Sequence, residues 1–182
     1  MEMSGLDPQR DVILEVAAVV TSMDLKPLES YESVVYQSAD RLAHMDEWNQ
    51  THHKASGLLA KIPQGLPQSI VEKELLLMLK RHFQLPQERP ILCGNSIAQD
   101  RAFVQLHMPE LFSYLHYRLL DVSSWKIIFE NLYGKRFEKR KNHRALDDIQ
   151  ESIEELRYYL SFVTLPWLTH QEPVSGEAQF KR

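Results

Sequence analysis

The sequence predicts an α/β layer structure in which helices pack on a mixed sheet, and three observations lead there. The apolar run Val12–Val20 and the alternating segment around Tyr31–Tyr36 flank the polar stretch Met23–Pro27, which is the pattern of a β-hairpin. Two more short apolar runs, PILCGN and RLLDV, lie far downstream. Segments of helical period separate all of these, so strands and helices interleave along the chain.

In chain order, the opening MEMSGLDPQRD places Glu2 just ahead of the turn formers Gly5 and Asp7-Pro8. An acid at the end of a strand, before a tight turn, is suited to holding a cation. From Asp40 to Lys61 the pattern is helical; Pro63, Gly65 and Pro67 then break the chain before an amphipathic helix from Ser69 to Phe83. Pro86 and Pro90 close that unit. PILCGN ends in Gly94-Asn95 and reads as a buried parallel strand whose C-terminal end opens onto a site. Helices flank Pro109, and RLLDV supplies a short strand before a helix from Ser123 to about Leu132. The last helix starts near Asn142, with Leu146, Ile149, Ile153, Leu156 and Leu160 as its apolar stripe. Beyond Pro166 the chain is polar and without period, so residues 166–182 are expected to form a flexible tail after a single domain spanning 1–165.

With 182 residues the chain has the length of one domain, ~100–200 residues being usual, and 43% apolar residues suffice for a full core. A net charge of −4 argues against a protein that grips long duplex nucleic acid by bulk electrostatics. Cys93 has no partner for an internal disulfide and is expected to be a small buried apolar residue in a reducing compartment. No stretch approaches the ~20 apolar residues of a membrane span, and no signal-peptide pattern is present, so a soluble, cytoplasmic protein is expected.

Acidic and imidazole groups concentrate in MEMSGLD, CGNSIAQDRAF and NHRALDDIQES. Taken singly, Glu2 reads as a solvated terminal residue, and Asp100 and Asp147-Asp148 as first-turn acids favoured by the helix dipole. Taken together they supply oxygen ligands from separate elements, the donor set for hard divalent cations such as Mg²⁺ or Mn²⁺, which polarise a phosphodiester and activate water. His143 lies five residues before Asp148. At about 100° per residue the two would not share a helix face, which puts the histidine in the preceding loop, where it suits a general base. Asp148 borders the buried stripe; Asp147 points further out. The basic run from Lys135 to Arg144 is either a solvated loop or a device that steers an anionic substrate.

The stretches EMSGLDPQRD, MDEWN, ASGL, CGNSIAQDRAF, HYRLLDVSSWK and NHRALDDIQESIEELRYY resemble the oligoribonuclease family, a branch of the DEDDh 3′–5′ exonucleases, from Glu2 to about Phe162. The resemblance implies a ribonuclease H-like mixed sheet flanked by helices. It also implies two-metal hydrolysis of short RNA, dinucleotides especially, to 5′-mononucleotides. By position, Glu2, Asp100 and Asp148 would bind two ions, Mg²⁺ or Mn²⁺, and His143 would be the base. Leu6 and Trp48 would wedge and stack the bases, although Trp48 could equally pack in the core. Ser96, Arg118 and Ser123 would bind the substrate's 5′-phosphate, with Tyr117 entering from the other subunit of a homodimer. His53 matches a family histidine near the site.

One departure is visible. The family has an aspartate two residues before the glutamate that matches Glu2, and Met1 stands where the intervening residue would be. The first strand and its aspartate are therefore expected to be absent, with a cost to activity and, because the resemblance places that strand mid-sheet, to folding. Two alternatives stand beside the hydrolase: a non-catalytic dinucleotide-binding module, and a DEDDh exonuclease of other substrate range.

Overall fold

The β-branched run expected to be a strand becomes β2, Ile13–Thr21, in a computed structural model that describes residues 1–85, 87–138 and 145–163. β2 pairs antiparallel with β3, Pro27–Val34, in a ladder that includes Glu15↔Val34 and Val20↔Glu29. The connecting turn is closed by the Ser22 amide donating to the Lys26 carbonyl, with Leu25 in the left-handed region at φ 63°. Strand one is represented by two residues, β1 (Glu2–Met3), which pair antiparallel with β2 as Glu2↔Glu15 and Met3↔Ile13 across a bulge. In the order β1-β2-β3 it stands at an edge of this sheet, whereas a mid-sheet position was expected.

β2 is buried on both faces, which explains its continuous apolar run. Ile13, Val16 and Val20 join a core with Val71, Leu75, Met78, Phe103 and Val104; Val12 and Leu14 join a second cluster with Met45, Leu58 and Ile62. Each large side chain removed from water there contributes ~1.5–3 kcal/mol.

The segment expected to be helical from Asp40 to Lys61 is three short helices, α1 (Ala39–Leu42), α2 (Glu47–Ala55) and α3 (Leu58–Lys61). Asp46 starts α2 by accepting from the Asn49 amide, and Gly57, at φ 77°, separates α2 from α3. α4, Gln68–His82, buries Val71, Leu75, Leu76, Met78 and Leu79.

β4 (Leu92–Gly94) and β5 (Leu119–Asp121) form a separate parallel pair in the register Leu92↔Leu119 and Gly94↔Asp121. Between them run α5 (Ile97–His107) and α6 (Pro109–Tyr114), with Pro109 opening α6. The parallel direction of β4 agrees with expectation; its burial does not. Cys93 is exposed.

α7 (Val122–Tyr133) and α8 (Ala145–Leu160) complete the described chain. The buried face of α8 is Glu151, Glu155, Leu156 and Tyr159; the expected stripe of Leu146, Ile149 and Ile153 is only half-buried, and Leu160 is exposed. The helix is turned because Glu155 faces inward, accepting hydrogen bonds from Asn95 and Tyr159.

Candidate active site

The short strand β1 gathers three elements. Glu2 lies across the ladder from Glu15. The Met1 ammonium sits 2.9 Å from Oδ1 of Asp100, in the first turn of α5, and is nearly buried. The Met3 carbonyl lies 2.9 Å from Nε2 of His53 on α2. A carbonyl only accepts, so Nε2 carries a proton. Nδ1 is buried without a hydrogen-bond partner among the described residues and lies 3.8 Å from Oε2 of Glu2.

Glu15 completes this acidic corner. Burial, followed by repulsion from Glu32 and then Glu2, pushes its carboxyl above the ordinary range. The residue was not singled out from sequence; the signal available was one acid inside an otherwise apolar strand, ILEVAAVV.

Leu6 and Trp48 are both open to solvent. The loop that carries Leu6 is tied down at both flanks. The Ser4 hydroxyl donates to Asp11 and accepts from the Val12 amide, and a Cβ on Gly5 would fall 2.4 Å from the Asp11 carboxylate, so any larger residue would push that carboxylate off its bonds to Ser4 and the Asp7 amide. The Asp7 carboxylate accepts from the Gln9 amide, stabilising the turn itself. Gln99 of α5 donates to the Leu6 carbonyl, which ties the loop to the helix that holds Asp100. Leu6 is 75% exposed and Trp48 69%. Trp48 is therefore not a core residue; it stacks on His52 with ring centroids 5.0 Å apart and planes 5° apart.

The turns after β4 and β5 bring Ser96 and Ser123 together. The Ser96 amide, in left-handed backbone at φ 50°, donates to Oδ1 of Asp121 (3.1 Å) and to the Ser123 hydroxyl (2.9 Å). The same Asp121 oxygen caps α7 by accepting from the Ser123 amide at 2.9 Å. Tyr117 and Arg118 precede β5, at the opposite end of that strand from Ser123; the Arg118 guanidinium lies over the Tyr117 ring, 5.1 Å from its centroid. Tyr117 is exposed and stacks on His116. On β4, Cys93 has exposed surface, but neighbouring protein atoms desolvate its thiol and, with the Asp121 charge as the second cause, push it up to about 11.

Asp148 sits in the first turn of α8, where the Ser152 hydroxyl donates to its carbonyl at 2.8 Å. His143, with the basic residues from Lys139 to Arg144, lies outside the described residues, as do residues 164–182. Glu2 and Asp100 have the oxygen chemistry of a hard-cation site. No three His, Cys, Asp or Glu side chains among the described residues are grouped closely enough to hold an ion by themselves.

A family model described as an exonuclease, RNase_T, matches residues 1–156. The chain is 43% identical over 162 residues to an oligoribonuclease of Pseudomonas syringae pv. tomato, covering 87% of this chain and 90% of the relative. It is 44% identical to oligoribonucleases of Pseudomonas aeruginosa and Dichelobacter nodosus, again over 87% of this chain and 90% and 89% of theirs. The chain belongs to the oligoribonuclease family. A ribonuclease H-like α/β fold follows from that membership and agrees with the sheets and flanking helices described above. The exonucleases of this family generally use divalent metals, in keeping with the oxygen donors at Glu2 and Asp100. Among the described residues, no helix is long and apolar enough to cross a membrane.

Proposed function

We propose that this member of the oligoribonuclease family is a 3′–5′ exoribonuclease that hydrolyses short oligoribonucleotides, dinucleotides especially, to 5′-mononucleotides. The observation that carries the reading is the 44% identity to oligoribonucleases over 87% of the chain. Residues 1–165 form the exonuclease domain, with 166–182 as a tail.

Glu2, Asp100 and Asp148 are the residues to hold two ions, Mg²⁺ or Mn²⁺, which when bound supply electrophilic activation of the phosphodiester and acidify a water. His143 takes the proton from the attacking water. Attack on phosphorus breaks the bond to the 3′-oxygen of the upstream nucleotide and leaves the phosphate on the 5′-oxygen of the released one. Leu6 wedges between the two bases and Trp48 stacks on one of them, a contact that tolerates any base; the exposure of both supports this role. Ser96, Ser123 and Arg118 receive the 5′-phosphate, and the hydrogen bonds that pair the two serines support a cap that admits only short chains.

Tyr117 acts on the partner's site in a homodimer. An exposed apolar stripe on α7, formed by Ile127, Ile128, Leu132 and Tyr133, supports such an association. The working place is a reducing, cytoplasmic one, in keeping with the single Cys93.

The test incubates a 5′-phosphorylated dinucleotide with the protein and Mg²⁺ or Mn²⁺ and identifies products by chromatography. Two 5′-mononucleotides, lost in Asp100→Asn, are expected. Binding without cleavage under either ion would leave only a dinucleotide-binding module.

A further inference from the structure

A hydrogen-bonded chain runs from the buried face of α8 to the serine pair, and its middle member, Asn95, has no role so far. Its Nδ2 lies 3.1 Å from Oε2 of Glu155 and 2.9 Å from the Ser152 hydroxyl. A carboxylate accepts and does not donate, so the amide orientation is fixed: the NH2 group faces α8 and the carbonyl faces away. That carbonyl accepts from the Ser123 hydroxyl at 3.2 Å. The single proton of Ser123 is thereby used, and its lone pair is left to accept the Ser96 amide. The Ser96 hydroxyl lies 3.4 Å from the Ser123 hydroxyl on an exposed turn and, the Ser123 proton being taken, is the donor of that pair.

The other end of the chain is equally constrained. Glu155 is 1% exposed, and its second oxygen accepts from the buried Tyr159 hydroxyl. The Ser152 hydroxyl donates its own hydrogen bond to the Asp148 carbonyl, so the turn of α8 that bears this acid docks on the same amide. The inner part of this network, anchored on the buried Glu155 and Tyr159, resists rotation, since turning Asn95 would strand a donor against the Glu155 carboxylate.

The geometry points to Asn95 as a positioning residue. Held by Glu155 and Ser152, its amide sets the Ser123 hydroxyl and through it the direction of Ser96, fixing recognition of the substrate's 5′-phosphate relative to the helix that carries Asp148. The inference rests on the reading of Ser96 and Ser123 as the phosphate cap.

The test compares kcat/KM for a 5′-phosphorylated and a 5′-hydroxyl dinucleotide in the wild-type protein, Asn95→Leu, Asn95→Ser and Glu155→Gln. The wild type prefers the phosphorylated substrate. In Asn95→Leu the preference falls roughly tenfold through KM, with hydrolysis of the 5′-hydroxyl substrate retained, as expected for weakened hydrogen bonding to a charged group. Asn95→Ser, too short to span from α8 to Ser123, shows the same loss and decides the matter if the leucine variant does not fold. Glu155→Gln keeps the preference, because its amide oxygen still accepts from Asn95. An unchanged preference in the Asn95 variants, or a parallel fall on both substrates, overturns the assignment while leaving the cap intact. Loss in Glu155→Gln as large as in Asn95→Leu overturns it too, since charge and not amide orientation would then be responsible. Absence of any preference in the wild type removes the cap reading itself, and the inference with it.

Discussion

Asp121→Ala separates the account of the serine pair from a generic view of surface turns. One oxygen of Asp121 caps α7 through the Ser123 amide and also holds the Ser96 amide. Loss of an N-cap costs about 1 kcal/mol. The Ser96 bond adds roughly another 1 kcal/mol, moderated because that amide also reaches the Ser123 hydroxyl. A total of about 2 kcal/mol in a chain of this length lowers Tm by about 6 °C. Asp121→Asn keeps an acceptor oxygen and an equally good cap, so it stays close to wild type. The assay is thermal unfolding followed by circular dichroism, paired with alkylation of Cys93. Because Asp121 is the second contributor to the raised thiol, after burial, Asp121→Ala lets the thiol ionise more readily and react faster at a given pH. An alanine variant that melts with the wild type, with unchanged Cys93 reactivity, would refute the reasoning.

Trp48→Ala should leave Tm unchanged, the ring being exposed, while raising KM for dinucleotides roughly 5- to 150-fold, the equivalent of ~1–3 kcal/mol of base stacking; a cold KM with a lowered Tm would mark a packing role. Glu15→Gln should raise Tm at neutral pH without added metal. The folded-state pKa of Glu15 is raised, so the stability tied to its protonated form is present below the unfolded value of about 4.3 and is lost as pH rises through the folded value. The gain from the amide should accordingly shrink toward pH ~4, and a gain independent of pH would contradict this assignment. Ile127→Glu with Leu132→Glu, on the exposed stripe of α7, should give a monomer in light scattering with reduced dinucleotide turnover; an unchanged dimer would place the interface elsewhere.

Much of the architecture was legible because periodicity reports burial. The run ILEVAAVV declared a buried strand, and helical pattern on either side of Pro109 declared the two helices that meet there. What escaped depended on tertiary partners. The helical stretch after Asp40 is divided at Gly57, a left-handed position that local pattern does not forbid from lying inside one helix. On α8 the apolar residues suggested one face, but two glutamates are buried on another, and Glu155 is turned inward by Asn95 from sixty residues upstream. Cys93 was expected inside because its run is apolar, but the structure leaves it exposed. At the site, acids at element ends singled out Glu2 and Asp100 as candidates and the family resemblance added Ser96 and Ser123, whereas Glu15 and Asn95 become visible only through a strand register and a hydrogen-bond chain.

The most direct test of the central proposal is a length series. The kcat/KM for 5′-phosphorylated RNA is measured on the dinucleotide, a few short intermediates and a long single strand, all with Mn²⁺ or Mg²⁺. A closed phosphate cap beside a two-base wedge at Leu6 and Trp48 predicts the highest value for the dinucleotide and a steep decline with each added nucleotide. Equal or better turnover of the long strand would contradict the account and assign the chain to an exonuclease of other substrate range.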